Sequence, residues 1–307
     1  MKSAKQSFIN PRAVSALTAR NVKVFMRDRA AIFFSFLSTL ILVALYFLFI
    51  ARMYTSGLVE GNEYAVSGGA GARNFLVYTQ MMAGVLILNS MSLSVGVFNS
   101  IARDFESRKT DSYLLTPARS REITASYFIA GFLVSFGLNL FTWIVSYVLI
   151  GALTGYWLAA VTFLTVAGIL AASSLVSGAL MILITALVKS PAAIGVIGGV
   201  SGTFLGFLCG IYMPYSNFGN GMKAVGSLLP FTHLTVWMKQ AVLGDALSQL
   251  NVTGELKDLI LGELFSAESV GFCGLDAPLW LMLLFCGVFA LVCLILAAWR
   301  IKKRTQR

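Results

Sequence analysis

The sequence predicts an all-α, polytopic membrane protein with six transmembrane helices. Of its 307 residues, 58% are apolar and only 12% are charged, which is about half the charged fraction of a soluble domain. Its apolar runs are about 20 residues or longer, as in helices that cross a bilayer, and they lack the alternation of a membrane β-barrel. Because backbone polar groups must pair internally in lipid, these runs indicate helices.

The apolar runs and the basic residues that flank them set the order and orientation of the spans. We predict spans at residues 31–51, 75–101, 123–151, 157–188, 192–213 and 278–299. With a cytoplasmic N-terminus, the inner pieces carry 18 of the 23 lysines and arginines: seven in 1–30, five in 102–122, one in 189–191 and five in 300–307. This positive-inside bias predicts a multi-pass protein of the cell (plasma or inner) membrane with both termini cytoplasmic. The net charge of +10 therefore reflects topology and does not indicate nucleic-acid binding.

Four segments follow from this pattern. Residues 1–30 precede the first span, and residues 31–213 hold spans one to five with a cytoplasmic loop at 102–122. Residues 214–277 form an outer segment, and residues 278–307 hold the sixth span and a basic cytoplasmic tail.

The N-terminal segment is predicted to contain a basic amphipathic helix. Its apolar face is formed by Val14, Leu17, Thr18, Val22 and Phe25, and its basic face by Arg20, Lys23 and Arg27. Such a helix fits the lipid headgroup layer, and a solvated N-terminal helix is the alternative. The apolar run that follows is longer than a signal-peptide core, so we expect it to be a span.

The outer segment 214–277 is the longest piece between spans. It begins with Pro214, becomes apolar and amphipathic near residues 228–243, and carries acidic residues over 255–276. We expect the apolar part to dip into the outer leaflet and the acidic part to face water. A disulfide between Cys209 and Cys273 on this side is left open.

The sequence lacks the side chains of common catalytic and metal sites. His233 is the only histidine, so a zinc site or a histidine proton relay has no second member, and a structural role is expected. No phosphate-binding GxxxxGK[ST] loop, serine nucleophile elbow or HExxH motif occurs. The predicted spans contain no firmly buried acid or base, which argues against an ion-driven carrier and against an intramembrane enzyme. If the protein is a pump, its energy would therefore have to come from another chain.

Two spans carry stripes of small or polar residues. In span five, glycines recur every four residues at Gly198, Gly202, Gly206 and Gly210. Such a stripe lets another helix approach closely, either in the same chain or in a second copy. In span two, one face carries Asn89, Ser92, Gly96 and Asn99. A polar stripe in lipid faces either protein or a water-filled path, and both interpretations stay open here.

The loop between spans two and three mixes charges of both signs with aromatic and aliphatic residues. Its docking candidates are Asp104, Phe105, Glu106, Asp111, Tyr113 and Leu114. A loop that only sets topology needs lysine and arginine alone. The added acids and aromatics indicate a surface that docks a protein, and a plain solvated connector is the alternative.

At this loop the chain resembles the membrane (permease) subunits of type-2 ATP-binding-cassette exporters. The matching features are Arg27-Asp28-Arg29 before span one, the acids, Tyr113, Leu114, Leu115, Thr116 and Pro117 of the loop, Leu208, Gly210 and Pro214 after span five, and Leu229, Pro230 and His233. The order of these motifs relative to the spans follows the family over essentially the whole chain. The chain departs from it at residues 108–111, where many members carry Gly-Thr-Leu-Glu and this chain carries Arg-Lys-Thr-Asp.

The resemblance implies an amphipathic connecting helix, a coupling helix between spans two and three, and outer re-entrant helices between spans five and six. It implies a permease subunit that is not itself an enzyme and binds no cofactor, with ATP and Mg on a partner ATP-binding-cassette ATPase. Two permease chains, as a homo- or heterodimer, would act together in export. The apolar spans with few charges favour a drug, peptide or lipid-like substrate, and a multidrug exporter would be one such case. A stand-alone channel or secondary carrier, and a membrane enzyme acting on lipid-linked substrates, are the alternatives.

Overall fold

A computed structural model describes residues 10–45, 54–56, 58, 64, 66, 69–107, 120–188, 190–212, 217–267 and 279–305. Its long helices are α1 Pro11–Arg27, α2 Arg29–Leu45, α3 Gly69–Glu106, α4 Ser120–Thr154, α5 Ala160–Leu187 and α6 Pro191–Leu208. They are followed by α7 Asn220–Ser227, α8 Pro230–Gln249, α9 Glu255–Leu259 with a π-helical turn at Ile260–Leu264, and α10 Leu279–Thr305.

Five of the described helices are long and apolar enough to cross a membrane. They contain the stretches Gly69–Asp104, Arg121–Thr154, Ala160–Leu187, Pro191–Leu208 and Trp280–Ile301. These stretches overlap the predicted spans two to six but differ from them in their ends. The first predicted span, 31–51, begins in α2, and its last residues lie outside the described part of the chain, so the count of six stays a prediction.

Two tryptophans near the ends of α10 agree with a membrane crossing. Trp280 and Trp299 are both exposed, and the guanidinium carbon of Arg300 lies 5.2 Å from the centre of the Trp299 ring. At about 1.5 Å per residue, the two rings are roughly 28 Å apart along the helix, close to the thickness of the hydrocarbon core. Tryptophans at this separation are typical of anchors at the two membrane interfaces.

Helix α3 forms the centre of the bundle. It packs against α2, α4, α5, α6 and α8. In an apolar 18-residue stretch of α3, 83% of the residues are buried, whereas in the corresponding stretch of α6 only 22% are buried. A displacement of α3 must therefore disturb most of its neighbours, whereas α6 leaves most of its surface uncovered.

The bundle has two distinct ends, which we call the α1 end and the α8 end. At the α1 end, α1 packs against the start of α4 and bonds to the end of α3. At the α8 end, the Ala159 N–H before α5 donates to Asp245 Oδ2 at 2.6 Å. There the Cys286 thiol of α10 also donates to the Pro230 carbonyl, with a sulfur–oxygen distance of 3.8 Å. Helix α8 thus connects the starts of α5 and α10.

Candidate coupling site and polar core

Helix α1 is fixed to the end of α3 by ion pairs. Arg20 Nη1 lies 2.9 Å from Asp104 Oδ2 and also donates to Asn21 Oδ1 at 2.9 Å. A second pair joins Arg103 Nη1 to Asp28 Oδ2 at 3.7 Å, and it is more exposed than the first. The two pairs join α1 and the α1–α2 junction to the final turn of α3.

Helix α1 is also fixed to the start of α4. The Asn10 backbone N–H donates to Glu122 Oε1 at 2.8 Å, and the Asn10 side chain accepts from the Arg12 N–H at 3.1 Å, which caps α1. One helical turn further on from Glu122, the Thr18 hydroxyl donates to the Ser126 carbonyl at 3.4 Å. Helix α1 therefore bridges α3 and α4 on both sides of the predicted coupling loop.

The apolar face of α1 packs on the protein itself. Val14, Thr18 and Phe25 are buried. Arg20 was expected on the basic face, but its guanidinium is paired with Asp104. The interfacial position of α1 in a membrane stays a prediction.

The structure places only part of the predicted coupling residues. Asp104, Phe105 and Glu106 form the last turn of α3; the carboxylate of Asp104 is turned toward Arg20, and Glu106 is exposed. Asp111, Tyr113 and Leu114 lie outside the described residues, so their docking role stays a prediction.

A hydrogen-bonded polar seam joins the middles of α3, α4 and α5. Asn139 Nδ2 donates to Ser90 Oγ at 2.6 Å and to the Leu86 carbonyl at 3.1 Å, and Asn139 Oδ1 accepts from Asn89 at 3.0 Å. The Ser90 and Ser173 hydroxyls are 2.6 Å apart. The seam thus ties the central helix to two of its neighbours without any charged group.

The predicted polar stripe of α3 is divided by this packing. Asn89 is buried in the polar seam, which is the interhelical arrangement. Ser92, Gly96 and Asn99 are half-buried. The Oδ1 atom of Asn99 is buried without a hydrogen-bond partner among the described residues. An acceptor in this state costs about 1–3 kcal/mol until a donor reaches it.

The glycine stripe of α6 serves more than one neighbour. A Cβ atom at Gly198 would overlap the side chain of Val95 in α3, and one at Gly206 would overlap the ring of Tyr212. A Cβ at Gly202 would meet no described atom within 4 Å. Gly210 has a φ of +66° and lies in the turn that closes α6, a conformation that favours glycine. The stripe is therefore partly an intrachain contact and partly an open face.

Sequence reasoning missed the buried lysine of α8. Lys239 falls in the predicted outer segment 214–277, but it is 2% exposed. Its ammonium donates to the carbonyls of Gly210 and Phe265, each at 2.9 Å. Among the described residues no carboxylate pairs with it. Burial lowers the pKa of Lys239 to about 8, so the side chain is still mostly protonated at neutral pH.

His233, on the same helix, has a structural arrangement. Its Nε2 lies 2.8 Å from the Ser227 carbonyl, and its ring packs edge-on against Phe285 with centroids 5.6 Å apart. Burial lowers the pKa of His233, which favours the neutral ring. Within the described ranges, no three His, Cys, Asp or Glu side chains are grouped so that they could hold a metal ion.

Comparison with known proteins gives one family. No curated protein matches the chain. A family model described as an ABC-2 family transporter protein matches residues 62–299. The match covers α3 to α9 and most of α10, and so includes the five helices that could cross a membrane. The chain belongs to the ABC-2 transporter family, whose members are membrane permease components of ABC transporters.

Proposed function

We propose that this chain is the permease subunit of an ATP-driven exporter that is energised by a separate ABC ATPase and moves an amphipathic or hydrophobic substrate. The observation that carries the proposal is the double attachment of α1. Arg20 ties it to Asp104 at the end of α3, and Asn10 ties it to Glu122 at the start of α4. These two attachment points lie at the two ends of the coupling loop 102–122, so force applied to the loop reaches three helices together.

The proposed mechanism is mechanical. The ATPase binds the loop through Glu106, Asp111, Tyr113 and Leu114, and closure of the ATPase dimer on ATP displaces the loop. Asp104 has its carboxylate on Arg20, so in this mechanism it transmits the displacement to α1 and does not itself contact the ATPase. Because α3 packs against α2, α4, α5, α6 and α8, its movement changes the arrangement of the whole bundle.

The substrate path is proposed to run along the half-buried face of α3 and the open face of α6. The half-buried face carries Ser92, Gly96 and Asn99. The open face carries three glycines at which a Cβ atom would meet no described atom within 4 Å, namely Gly195, Gly199 and Gly202. A second permease chain across this face would enclose the path. A donor from that chain or from the substrate would satisfy the buried Oδ1 of Asn99.

The amphipathic or hydrophobic class of substrate is proposed from the lining. The named path positions are small or uncharged residues, which offer contact and hydrogen bonding but no fixed charge for an ionic substrate. Drugs, peptides and lipid-like molecules fit this description. The cytoplasmic position of both termini in the cell membrane is proposed from the 18 basic residues on one side.

Co-purification from native membranes tests the proposal. The full-length chain, solubilised in mild detergent, should bring down a soluble subunit that carries a phosphate-binding loop, in equal numbers with the permease. Reconstituted together, the two should move a fluorescent amphipathic probe across vesicles only with hydrolysable ATP. Transport of the probe at the same rate by the purified chain alone would contradict the proposal and favour a stand-alone carrier.

Charge reversal in the coupling loop is the sharper test of docking. Glu106→Lys combined with Asp111→Lys should reduce ATP-dependent transport about tenfold or more, because opposing charges at a protein interface then become repulsive. The matched control is Glu255→Lys with Asp258→Lys on α9, two acids at the opposite end of the bundle, and it should transport normally. Both variants should retain the detergent melting temperature of the wild type. Normal transport by the loop variant would contradict the docking role.

A further inference from the structure

The buried ammonium of Lys239 joins three separate parts of the chain. Lys239 lies in the middle of α8, Gly210 follows the end of α6, and Phe265 caps the π-helical turn after α9. The two carbonyl oxygens belong to residues 29 and 26 positions away from the lysine. A single side chain therefore holds the end of α6, the least buried of the five described helices that could cross a membrane, against the π-helical turn.

The carbonyls that receive the ammonium suit a cation better than ordinary backbone groups do. Both belong to residues just beyond the C-terminal ends of helices, Gly210 after α6 and Phe265 after the π-helical turn, where the macrodipole carries partial negative charge. A buried lysine without a carboxylate partner is costly unless its charge is stabilised in some other way. The two helix ends supply that stabilisation only while α6 and the π-helical turn stay in their present positions.

A second contact fixes the same end of α6. The side chain of Ile211 fills the space where Gly84 of α3 lacks a side chain, and a Cβ there would lie 2.6 Å from the Ile211 Cγ2 atom. Cys209, directly before the Gly210 carbonyl, is only 2% exposed, and its sulfur accepts from the Thr232 hydroxyl at 3.5 Å. The end of α6 is thus enclosed, although most of the rest of the helix is uncovered.

We propose that Lys239 is a positioning residue that latches the end of α6 to α8 in the resting state, and that each transport cycle separates its ammonium from the Gly210 carbonyl. This inference rests on the proposed function, because it assigns the moving element of the exporter to the end of α6. Separation leaves the ammonium buried with only one of its two carbonyl partners, which is costly, so the latch returns when the driving force is removed. The latch thereby keeps the α8 end closed between cycles.

The thiol of Cys209 reports the state of the latch. In the full-length chain with Cys273→Ser, Cys286→Ala and Cys293→Ala, it is the only thiol, and it is buried at rest. A membrane-impermeant maleimide added outside proteoliposomes should label the resting protein slowly. Lys239→Met keeps the length of the side chain but removes all donors, and it should raise the labelling rate about tenfold by favouring local opening.

Two further variants separate loss of the latch from general damage. Lys257→Met, on α9, makes the same substitution at a lysine with no part in the latch and should label as slowly as the parent. Lys239→Arg keeps a charged donor, and it should restore part of the slow labelling. Labelling of a folded Lys239→Met protein at the parent rate would overturn the latch. If that variant does not fold, Lys239→Gln decides by the same measurement.

Activity gives a readout that a purely structural role would not change. With the ATPase subunit bound, Lys239→Met should hydrolyse ATP at least as fast as the parent but move less probe per ATP, because α6 no longer returns to the closed position. In the parent, Cys209 labelling should rise during ATP turnover, and a rate fixed at the resting value would overturn release in each cycle. Cys209 labelling of the resting protein needs no ATPase. A negative result there would contradict the latch without contradicting the exporter assignment. A failure to co-purify an ATPase would contradict the exporter assignment and leave the labelling result valid.

Discussion

At the α1 end of the bundle two ion pairs that reach the surface join α1 and the α1–α2 junction to α3, whereas at the α8 end the contacts of Lys239 and Cys209 are buried. The Arg20–Asp104 and Arg103–Asp28 pairs keep between about a tenth and two thirds of their side chains exposed. Lys239, Thr232 and Cys209 are all nearly inaccessible. These two sets of contacts therefore differ in their access to water.

This difference predicts different mechanical behaviour. Exposed pairs are weak and can be exchanged for water or for a partner's charges at small cost, which suits an end that must respond to an ATPase. Buried hydrogen bonds are expensive to break because no water replaces them, which suits an end that must stay closed until it is driven open. Substitutions at either end test this difference.

The largest effect is expected where α6 meets α3 at the closed end. Gly84→Leu would force a bulky side chain into the space held by Ile211, and overpacking of this kind costs about 1–3 kcal/mol or more. The melting temperature in detergent should fall clearly and Cys209 should become reactive. Gly137→Leu on α4, where a Cβ would meet no described atom within 4 Å, is the matched control and should melt like the wild type. Equal melting of the two variants would mean that the close contact does not hold α6.

An intermediate effect is expected from the inner ion pair of the α1 end. Asp104→Arg places two like charges together in a partly buried site and should cost about 1–2 kcal/mol, between the values for exposed and buried pairs. It should also lower transport more than it lowers ATP hydrolysis, because α1 separates from α3. Combining it with Arg20→Asp should recover much of both losses. If the double variant were as unstable and as slow in transport as Asp104→Arg alone, the attraction between these two side chains would not be the cause of the losses.

Much of the architecture could be read from the sequence, because lipid imposes a length and an apolarity on each crossing helix. Some helices are longer than the apolar runs that predicted them, and α3, for example, extends from Gly69 to Glu106. An apolar run shows which residues lie in lipid, but the helix can continue into water beyond it. Span five was predicted to reach residue 213, but α6 ends at Leu208 before Gly210 takes a positive φ. The glycine was visible in the sequence, and its role as a helix terminator could have been inferred.

The polar contacts could be predicted only in part. Spacing along α3 groups Asn89 with Ser92 on one face, but it does not say which neighbour each residue meets, and Asn89 bonds to α4. Lys239 falls in the predicted outer segment, and nothing in the sequence marks it as buried, since lysine seldom is. Its burial depends on carbonyls from two segments that are distant in sequence, and no local sequence pattern predicts this tertiary contact.

The smallest effect is expected from the outer ion pair of the α1 end. Asp28→Asn removes the charged partner of Arg103 at a distance of 3.7 Å, with both side chains more exposed than those of the inner pair, so the cost should be about 0–1 kcal/mol. Because exposed charges are screened over roughly 8–10 Å at physiological salt, the difference from wild type should shrink further when the melting temperature is measured in high salt. The Asp104→Arg loss should shrink less under the same conditions, since that pair is more buried. If high salt reduced the stability loss of both variants equally, the two ion pairs would be equally exposed to solvent. That result would contradict the inference that the Arg20–Asp104 pair is stronger than the Arg103–Asp28 pair.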